Sequence, residues 1–482
     1  MVRLLENLNA FIWSVPALLL SLGVGVYLSL HTGFVQMKWL PKAFRMFGEK
    51  LKGSKGNTDG VSAYQALCTA LAATVGTGNL AGVAGAIAIG GPGAVFWMWI
   101  CALLGMVTKF AEATLAVRYR VYDQNVQPIG GPMYMIENGM GKSWRWLGIL
   151  YCLFGVVASL GVGNAVQINT VIGGIKSVIE ILGGQASRQI ELCIGISLAI
   201  LVGCVLRGGA RRIGAIAEQL VPVASLFYLL LGAGVLLLKA DMILPAFGLI
   251  LRGAFSPGAI TGGVIGSAFQ ALRVGASRGV FTNEAGMGTA SIAHASAQVS
   301  HPIEQGFMGI MEVFLDTIVI CTMTALVILC SGIPIHYGRD DGVLLTMQAF
   351  SAIYGNWISV PITIALCSFA IATVFGWGFY GTRCAQYIFG EQIWKIFATL
   401  QAITVVLGAV LKTGTVWLLS EIVNGLMSIP NLIALVFLSP ELVRMVKEYG
   451  SICTNKLTIP YTACKIRKNE KAMRKPRKAR QL

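Results

Sequence analysis

The sequence predicts an all-α polytopic membrane protein with about 11 transmembrane helices. Of the 482 residues, 55% are hydrophobic, and the mean hydropathy is +0.72. Charged residues make up 12% of the chain, against roughly 25% in soluble domains. Apolar runs of about 18 residues or more recur from one end to the other, and each is long enough to cross a bilayer. A soluble core could not accommodate so many of them.

The apolar runs give these predicted spans, the seventh of them interrupted: 10–31, 61–89, 93–118, 146–176, 190–207, 213–238, 259–297, 306–331, 356–388, 392–411 and 414–438. The first run is longer than the roughly 7–15 residues of a signal-peptide core, and no clear small-x-small cleavage site follows it. We therefore expect it to be a retained helix.

Lysine and arginine cluster on one predicted side of the membrane. They are concentrated in 32–60, 118–145, 207–212 and the polar tail 439–482, which share a side if the number of spans is odd. Because cytoplasmic loops carry the basic excess, we expect a cell-membrane protein with its N-terminus outside and its C-terminus in the cytoplasm. This topology accounts for most of the net charge of +16. Nucleic-acid binding is not indicated, whereas the basic tail could also contact anionic lipid.

Two predicted spans are interrupted by glycine and polar residues. The first break lies in "ATVGTGNLAGVAGAIAIGG" (73–91), and the second lies in "GSAFQALRVGASRGVFTNEAGMGTASIAHA" (266–295). Within lipid, every backbone amide must be satisfied inside the protein, so such a break is tolerated only where it is buried or lines a cavity. Its free N–H and C=O groups can then bind a carboxylate or a cation. The alternative for each break is close helix packing through small residues.

The positions of the breaks divide the chain into two halves. Each broken span is followed by four more, so each half has five spans and opens with its broken helix. An odd number of spans forces the halves to be inverted, which is typical of transporters with a site at mid-membrane. The expected parts are an extra helix and basic segment (1–60), two inverted repeats (61–238 and 259–438) and the basic cytoplasmic tail (439–482).

Other classes of protein lack support in the sequence. "GMGKS" (139–143) has Ile136 where a phosphate loop requires glycine, so an ATP-driven pump is not indicated. No catalytic motif in a plausible context and no metal-ligand spacing of histidine or cysteine is found, so we expect neither an enzyme nor a bound cofactor. A passive channel remains an alternative because broken helices can line a pore, although no repeated filter or charged ring is evident.

At these motifs the chain resembles the alanine or glycine:cation symporter family, also called sodium:alanine symporters. The matching stretches are "GTGNLAGVAGAIAIGGPGAVFWMW" (76–99), "KFAEATLAVRYR" (109–120), "GGPMYMIENGMG" (130–141), "SRGVFTNEAGMGTASIAHA" (277–295) and "DTIVICTMTALVILCSG" (316–332). The resemblance covers about 32–440 and implies a LeuT-type fold of two inverted five-helix repeats, here preceded by one extra helix. It also implies Na⁺-coupled uptake of alanine or glycine, with H⁺ coupling as the alternative.

The resemblance implies a substrate site at the two breaks. The substrate carboxylate would face the amides around Gly76, Thr77 and Gly78. The amino group would meet the second break, where Asn283 lies, and Asn164 and Gln167 of span 146–176. For Asn164 and Gln167, helix packing or hydrogen bonding is the alternative. We further expect Trp377 and the glycine-rich breaks to leave room for little more than a methyl side chain.

The resemblance also implies a site for Na⁺ as the coupling ion. Its ligands would be the carbonyl oxygens of Ala72, Val75 and Ala370 and the hydroxyl of Thr373, and oxygen ligands suit a hard cation. For Thr373, a hydrogen bond to its own helix is the alternative. A second arrangement would use Asn79 with Asp316.

Three further positions complete the expectations. The stretch "GWGFYGTRC" has Thr382 where the family has an acidic residue, which puts in doubt any role of that carboxylate in gating or coupling. Arg278 and Glu284 flank the second break. Because a charge inside a span is costly unless it is paired, we expect both to serve assembly or gating more than substrate contact.

Overall fold

The computed structural model describes residues 2–14, 16–53, 60–124, 126–181, 183–185, 187–339, 342–411 and 414–455. Within these ranges the only strands are Val121–Tyr122 and Pro128–Ile129, which pair antiparallel in a short hairpin. Everything else with regular structure is helical. The most basic part of the predicted tail, residues 456–482, lies outside the described residues.

The helices of the first half have these bounds: α1 Val2–Ser14, α2 Pro16–Thr32, α3 Val35–Lys38, α4 Leu40–Gly53, α5 Ala63–Thr74, α6 Val83–Gly90, α7 Ala94–Tyr119, α8 Pro132–Met135, α9 Arg145–Leu160, α10 Val166–Ile181, α11 Arg188–Leu206, α12 Gly209–Leu238 and α13 Ala240–Phe255. Those of the second half are α14 Pro257–Ile260, α15 Ala268–Asn283, α16 Thr289–Ala295, α17 Pro302–Val313, α18 Thr322–Cys330, α19 Val343–Tyr354, α20 Ser359–Phe389, α21 Trp394–Val410 and α22 Gly414–Asn455. Wider π-helical turns at Gly78–Gly82, Gly161–Ala165 and Phe314–Cys321 join α5–α6, α9–α10 and α17–α18.

If α9–α10 and α17–α18 are each counted as one continuous helix, eight helices of the described chain are long and apolar enough to cross a membrane. The helix α5 together with Gly78–Gly90 forms a ninth span, which is bent by 53°. The predicted run 10–31 is divided between α1 and α2, and the run 259–297 is divided between the end of α14, α15 and α16. The last predicted span ends at 438, but α22 continues through Pro440 to Asn455. Among the described residues these nine spans do not confirm the predicted number of about 11, whereas the all-helical membrane class is confirmed.

The broken helices lie in the interior of the bundle. α5 packs against α12, α16 and α20, while α15 packs against α6 and α7. Around them, α7, α17–α18 and α20 are mostly buried. In each of these three, 67% of the most apolar 18-residue segment is buried inside the protein. By contrast, α11 and α21 pack on each other, and only 28% and 33% of their most apolar 18-residue segments are buried. The apolar surface left on this outer pair suits contact with lipid, so the polar positions at the breaks are held away from it.

Candidate functional site

The first break is built by a change of hydrogen-bond partner after α5. The Val75 N–H still donates to the Leu71 carbonyl at 2.7 Å, and Val75 itself turns to an extended conformation. The next donor, the Gly76 N–H, would continue the helix by bonding Ala72, but it donates to Asn79 Oδ1 at 2.9 Å. The helix resumes at Gly78. The Ala72 carbonyl thus loses its usual helical donor, and a new helix N-terminus begins inside the membrane.

The second break is a tight loop between α15 and α16. Asn283 ends α15, and Glu284 follows in the left-handed region with φ of 54°. Gly288, with φ of 76°, precedes Thr289 at the start of α16. A side chain other than glycine at such a φ costs of order 1–3 kcal/mol and persists only where its surroundings hold it. The strained residue here is the one that carries a carboxylate.

A carboxylate from α7 holds this loop. Glu112 Oε1 accepts the N–H groups of Gly286 at 2.9 Å and Gly288 at 3.1 Å. Asn431 of α22 donates to the same oxygen at 2.7 Å and to the Gly286 carbonyl at 2.9 Å. Glu112 is fully buried. Three donors on one carboxylate oxygen fix the loop against two other helices.

The two breaks line one small cavity. Its volume is about 20 Å³, room for one or two water molecules on the scale where one needs about 10–15 Å³. Of the predicted site residues, the cavity is lined by Gly76, Thr77, Gly78, Gln167, Thr373 and Trp377. Seven further lining residues were not predicted as site residues: Ala73, Thr74, Val162, Phe281, Thr282, Glu284 and Asn424.

Polar side chains in the cavity are bonded to one another across helices. Thr77 Oγ1 donates to Gln167 Oε1 at 3.1 Å, and Gln167 Nε2 donates to the Val162 carbonyl at 3.1 Å in the π-helical turn after α9. On the other side, Trp377 Nε1 donates to Glu284 Oε1 at 2.9 Å. These bonds tie both breaks to α10 and α20.

The predicted Na⁺ ligands lie on two helices in close contact. Ala72 and Val75 are buried at the end of α5, and Ala370 and Thr373 are buried on α20. Thr373 Oγ1 donates to the Phe369 carbonyl at 3.0 Å, which leaves its lone pairs free to accept or to ligate. A Cβ atom placed on Gly76 would lie only 2.6 Å from this oxygen. The hydroxyl therefore points at the backbone of the first break.

The alternative pair, Asn79 and Asp316, is also brought together. Asn79 Nδ2 donates to Asp316 Oδ1 at 2.7 Å and to the Asp316 carbonyl at 3.2 Å. Asp316 Oδ2 accepts the hydroxyl of Thr317 at 2.8 Å, and that hydroxyl accepts Asn283 Nδ2 at 3.3 Å. All four side chains are buried. Asp316 lies in the π-helical turn between α17 and α18.

Other predicted residues are not among those that line the cavity. Asn164 donates through Nδ2 to the carbonyl group and the side chain of Gln401 on α21. Asn283 bonds Thr317, as described above. Thr382 donates to the Gly378 carbonyl at 2.7 Å and lines a separate cavity together with Arg383.

Arg278 and Glu284, expected to act alike, have different surroundings. Arg278 lies 3.5 Å from Glu421 of α22, and both side chains are partly exposed. Glu284 is buried and lines the cavity.

A second buried polar cluster lies beside the second break. Lys109 Nζ is 2.9 Å from Glu312 Oε1, and neither side chain is exposed. His294 Nε2 is 2.9 Å from the other Glu312 oxygen, and Gln305 bonds His294 Nδ1 at 2.7 Å. The sequence feature that could have indicated this cluster is Lys109, because a lysine inside an apolar run normally requires a charged partner.

Two discontinuous helices that meet at a buried polar cavity define the class: a transmembrane secondary transporter of the LeuT type. The solved structure of MhsT in complex with L-phenylalanine shares this fold, with a TM-score of 0.54 over 82% of this chain and 99% of that one, at 15% identity. The likeness confirms the predicted fold class.

The chain belongs to the sodium:alanine symporter family, which it matches over residues 1–461. It is 40% identical to the sodium/alanine symporter AgcS of Methanococcus maripaludis over 460 residues, covering 94% of this chain and 98% of the relative. It is 42% identical to an uncharacterised transporter of Haemophilus influenzae over 449 residues, covering 92% and 95%. The predicted family membership is thereby confirmed.

Proposed function

We propose that this protein is a Na⁺-coupled symporter that takes up a small neutral amino acid, alanine or glycine, by alternating access. The observation that carries the proposal is the small cavity that both breaks line, with Thr373 directed at Gly76. The name of the relative AgcS, a sodium/alanine symporter, supports the same ion and substrate.

The proposed carboxylate site is the N-terminus of the helix that resumes at Gly78. N–H groups at a helix start lack intrahelical acceptors and carry a partial positive charge, so they favour an anion. Gly76 and Gly78 let the ligand approach the backbone closely because neither has a Cβ atom. Thr77 and Gln167 supply polar side chains beside them.

The proposed ion ligands are the carbonyl oxygens of Ala72, Val75 and Ala370 and the hydroxyl of Thr373. A set of neutral oxygens suits Na⁺, and the loss of the helical donor to Ala72 leaves a carbonyl able to ligate. An ion here would join α5 to α20. Asn79 and Asp316 remain the alternative ion site, with Asp316 supplying a carboxylate.

The proposed topology places the N-terminus outside the cell membrane and the C-terminus in the cytoplasm, with 61–238 and 259–438 as inverted repeats. Closing the cavity from one side and opening it to the other would then carry substrate and ion together. Trp377 and Phe281 would limit the side chain that fits.

The test is uptake by the purified protein in proteoliposomes. Labelled alanine and glycine are supplied with an inward Na⁺ gradient, with K⁺ in place of Na⁺, or with an inward H⁺ gradient alone. Accumulation above the external concentration with Na⁺ only is the expected result. Accumulation driven by an H⁺ gradient alone would show that the proton, and not Na⁺, is the coupling ion. Equilibration without accumulation would indicate a channel.

A further inference from the structure

The cavity contains an acidic side chain with no basic side chain paired to it. Glu284 is 4% exposed and lines the cavity together with Gly76, Thr77 and Gly78. Within the described part of the chain no lysine, arginine or histidine forms an ion pair with it; the charge of Lys109 acts on it from a distance, but the Lys109 ammonium group is bonded to Glu312. A buried carboxylate without a cation is unfavourable, so a ligand that brings positive charge into the cavity would be stabilised there.

Neutral donors keep the carboxylate in place. Oε1 accepts Trp377 Nε1 at 2.9 Å, and Oε2 accepts Thr289 Oγ1 at 2.5 Å. Each carboxylate oxygen has a second lone pair, so both can accept one bond more. The positive φ of Glu284 and the anchoring of its loop by Glu112 fix the backbone from which the side chain projects.

The cavity is therefore polarised. On one wall is the N-terminus of the helix that resumes at Gly78, which favours negative charge. On another wall is the carboxylate of Glu284. A zwitterionic α-amino acid carries one charge of each sign on adjacent groups and is neutral as a whole. It would satisfy both walls at once after the cavity, which here has room for one or two water molecules, widens to admit it.

We propose that Glu284 binds the ammonium group of the transported amino acid and so determines that the substrate is a zwitterion. The inference rests on the proposed function and deepens it, because it assigns the group that recognises the amine. Trp377 and Thr289 act as positioning residues that hold the carboxylate. Under this proposal Glu284 contacts the substrate directly, in place of the expected role in assembly or gating.

The test compares L-alanine with L-lactate, which keeps the carboxylate and the methyl group but has a hydroxyl in place of the ammonium. Affinities are measured at saturating Na⁺ for the wild-type protein and for Glu284→Gln. Glu284→Gln should weaken alanine binding by about tenfold to a hundredfold. It should weaken lactate binding less, or strengthen it, because the repulsion between two anions is removed. The preference for alanine over lactate should therefore fall.

Glu112→Gln is the matched control, since Glu112 is also a buried carboxylate at the second break but is not a lining residue of the cavity. It should lower thermal stability and keep the alanine-to-lactate ratio. Glu284→Asp retains the negative charge and should therefore keep a stronger preference for alanine over lactate than Glu284→Gln does. It serves as the readout if Glu284→Gln does not fold.

Four results would overturn the inference. The first is unchanged alanine affinity in Glu284→Gln, and the second is an equal loss of affinity for alanine and lactate in that variant. The third is an alanine-to-lactate preference in Glu284→Asp as low as in Glu284→Gln. The fourth is a shift in the Na⁺ requirement with the preference unchanged, which would assign Glu284 to the ion. If instead the wild-type protein binds no alanine in the presence of Na⁺, the proposed function itself fails.

Discussion

Replacing Gly76 with alanine should weaken Na⁺ binding by displacing the Thr373 hydroxyl. The new Cβ atom would lie 2.6 Å from Thr373 Oγ1, whereas ordinary van der Waals contacts begin at 3.4 Å. Because both residues are buried, something must move, and overpacking of this kind costs about 1–3 kcal/mol. Loss of one neutral oxygen ligand costs about 1–1.5 kcal/mol by analogy with a hydrogen bond, or roughly tenfold in Na⁺ affinity.

The double variant Gly76→Ala/Thr373→Ala separates the steric effect from the loss of the ligand. With the hydroxyl absent, the nearest remaining atom of residue 373 is its Cβ at 3.7 Å, an ordinary contact. Thermal stability should therefore recover relative to Gly76→Ala alone, while Na⁺ affinity should stay low. Thr373→Ser keeps the oxygen and should stay close to wild type. Thr373→Val keeps the shape without the oxygen and should resemble Thr373→Ala.

The assay is the Na⁺ concentration that gives half-maximal alanine binding in each purified variant. If the ion stabilises the state that binds substrate, alanine affinity in Thr373→Ala falls at low Na⁺ and recovers at high Na⁺. An unchanged Na⁺ requirement in Thr373→Ala would refute the assignment of this oxygen. The same titration of Asn79→Ala and Asp316→Asn would then test the alternative site.

Three other outcomes follow from the structure. Leucine at a concentration equal to that of alanine should not inhibit alanine uptake, because its larger side chain would meet Trp377 in a small cavity; strong inhibition would contradict the assigned pocket. Lys109→Met should lower the free energy of unfolding by about 3–5 kcal/mol, because it leaves Glu312 buried without its lysine. Chemical denaturation of Lys109→Met/Glu312→Leu should show part of this loss restored, and equal losses in both variants would argue against the pair. Arg278→Ala should cost no more than about 1 kcal/mol and leave uptake largely intact, because its pair with Glu421 is partly exposed; loss of uptake in a stable Arg278→Ala protein would show a direct role.

The sequence located the breaks because backbone chemistry is local. Gly76 and Gly78 weaken a helix wherever they occur, and Asn79 can replace a helical acceptor from a distance of three residues. The fold class followed from the same signals, since two broken spans at matching positions already imply the inverted arrangement. These inferences needed no knowledge of which side chains meet in space.

Side-chain partners could not be predicted in the same way. Arg278 and Glu284 are six positions apart and were given one role, yet the left-handed backbone at Glu284 turns the chain away from the direction of α15. Asn164 lies on the predicted segment, but it bonds Gln401, 237 residues further along the chain. Such pairings depend on the rotation of each helix about its axis. The polarity of a residue does not report that rotation.

The helix boundaries were missed for a related reason. α22 continues past the predicted end at 438 because Pro440 does not terminate it and Leu442, Met445 and Val446 remain buried beyond that point. Hydropathy measures the match to lipid, whereas this extension is stabilised by packing against the rest of the protein.

The pairing of Lys109 with Glu312 sets an order of events during synthesis. The two residues are 203 positions apart, so a ribosome adding about 5–20 residues per second makes the partner roughly 10–40 s after the lysine. Until then α7 enters the bilayer without the carboxylate that contacts its ammonium group in the folded protein, and a lysine near a helix centre costs about 2.5–3.5 kcal/mol. Its apolar residues, with a mean hydropathy of 1.7 over the best window, favour insertion and offset that cost. The first half is thus inserted before Lys109 has the carboxylate partner that α17 supplies, and a chain released after the first half would lack that partner.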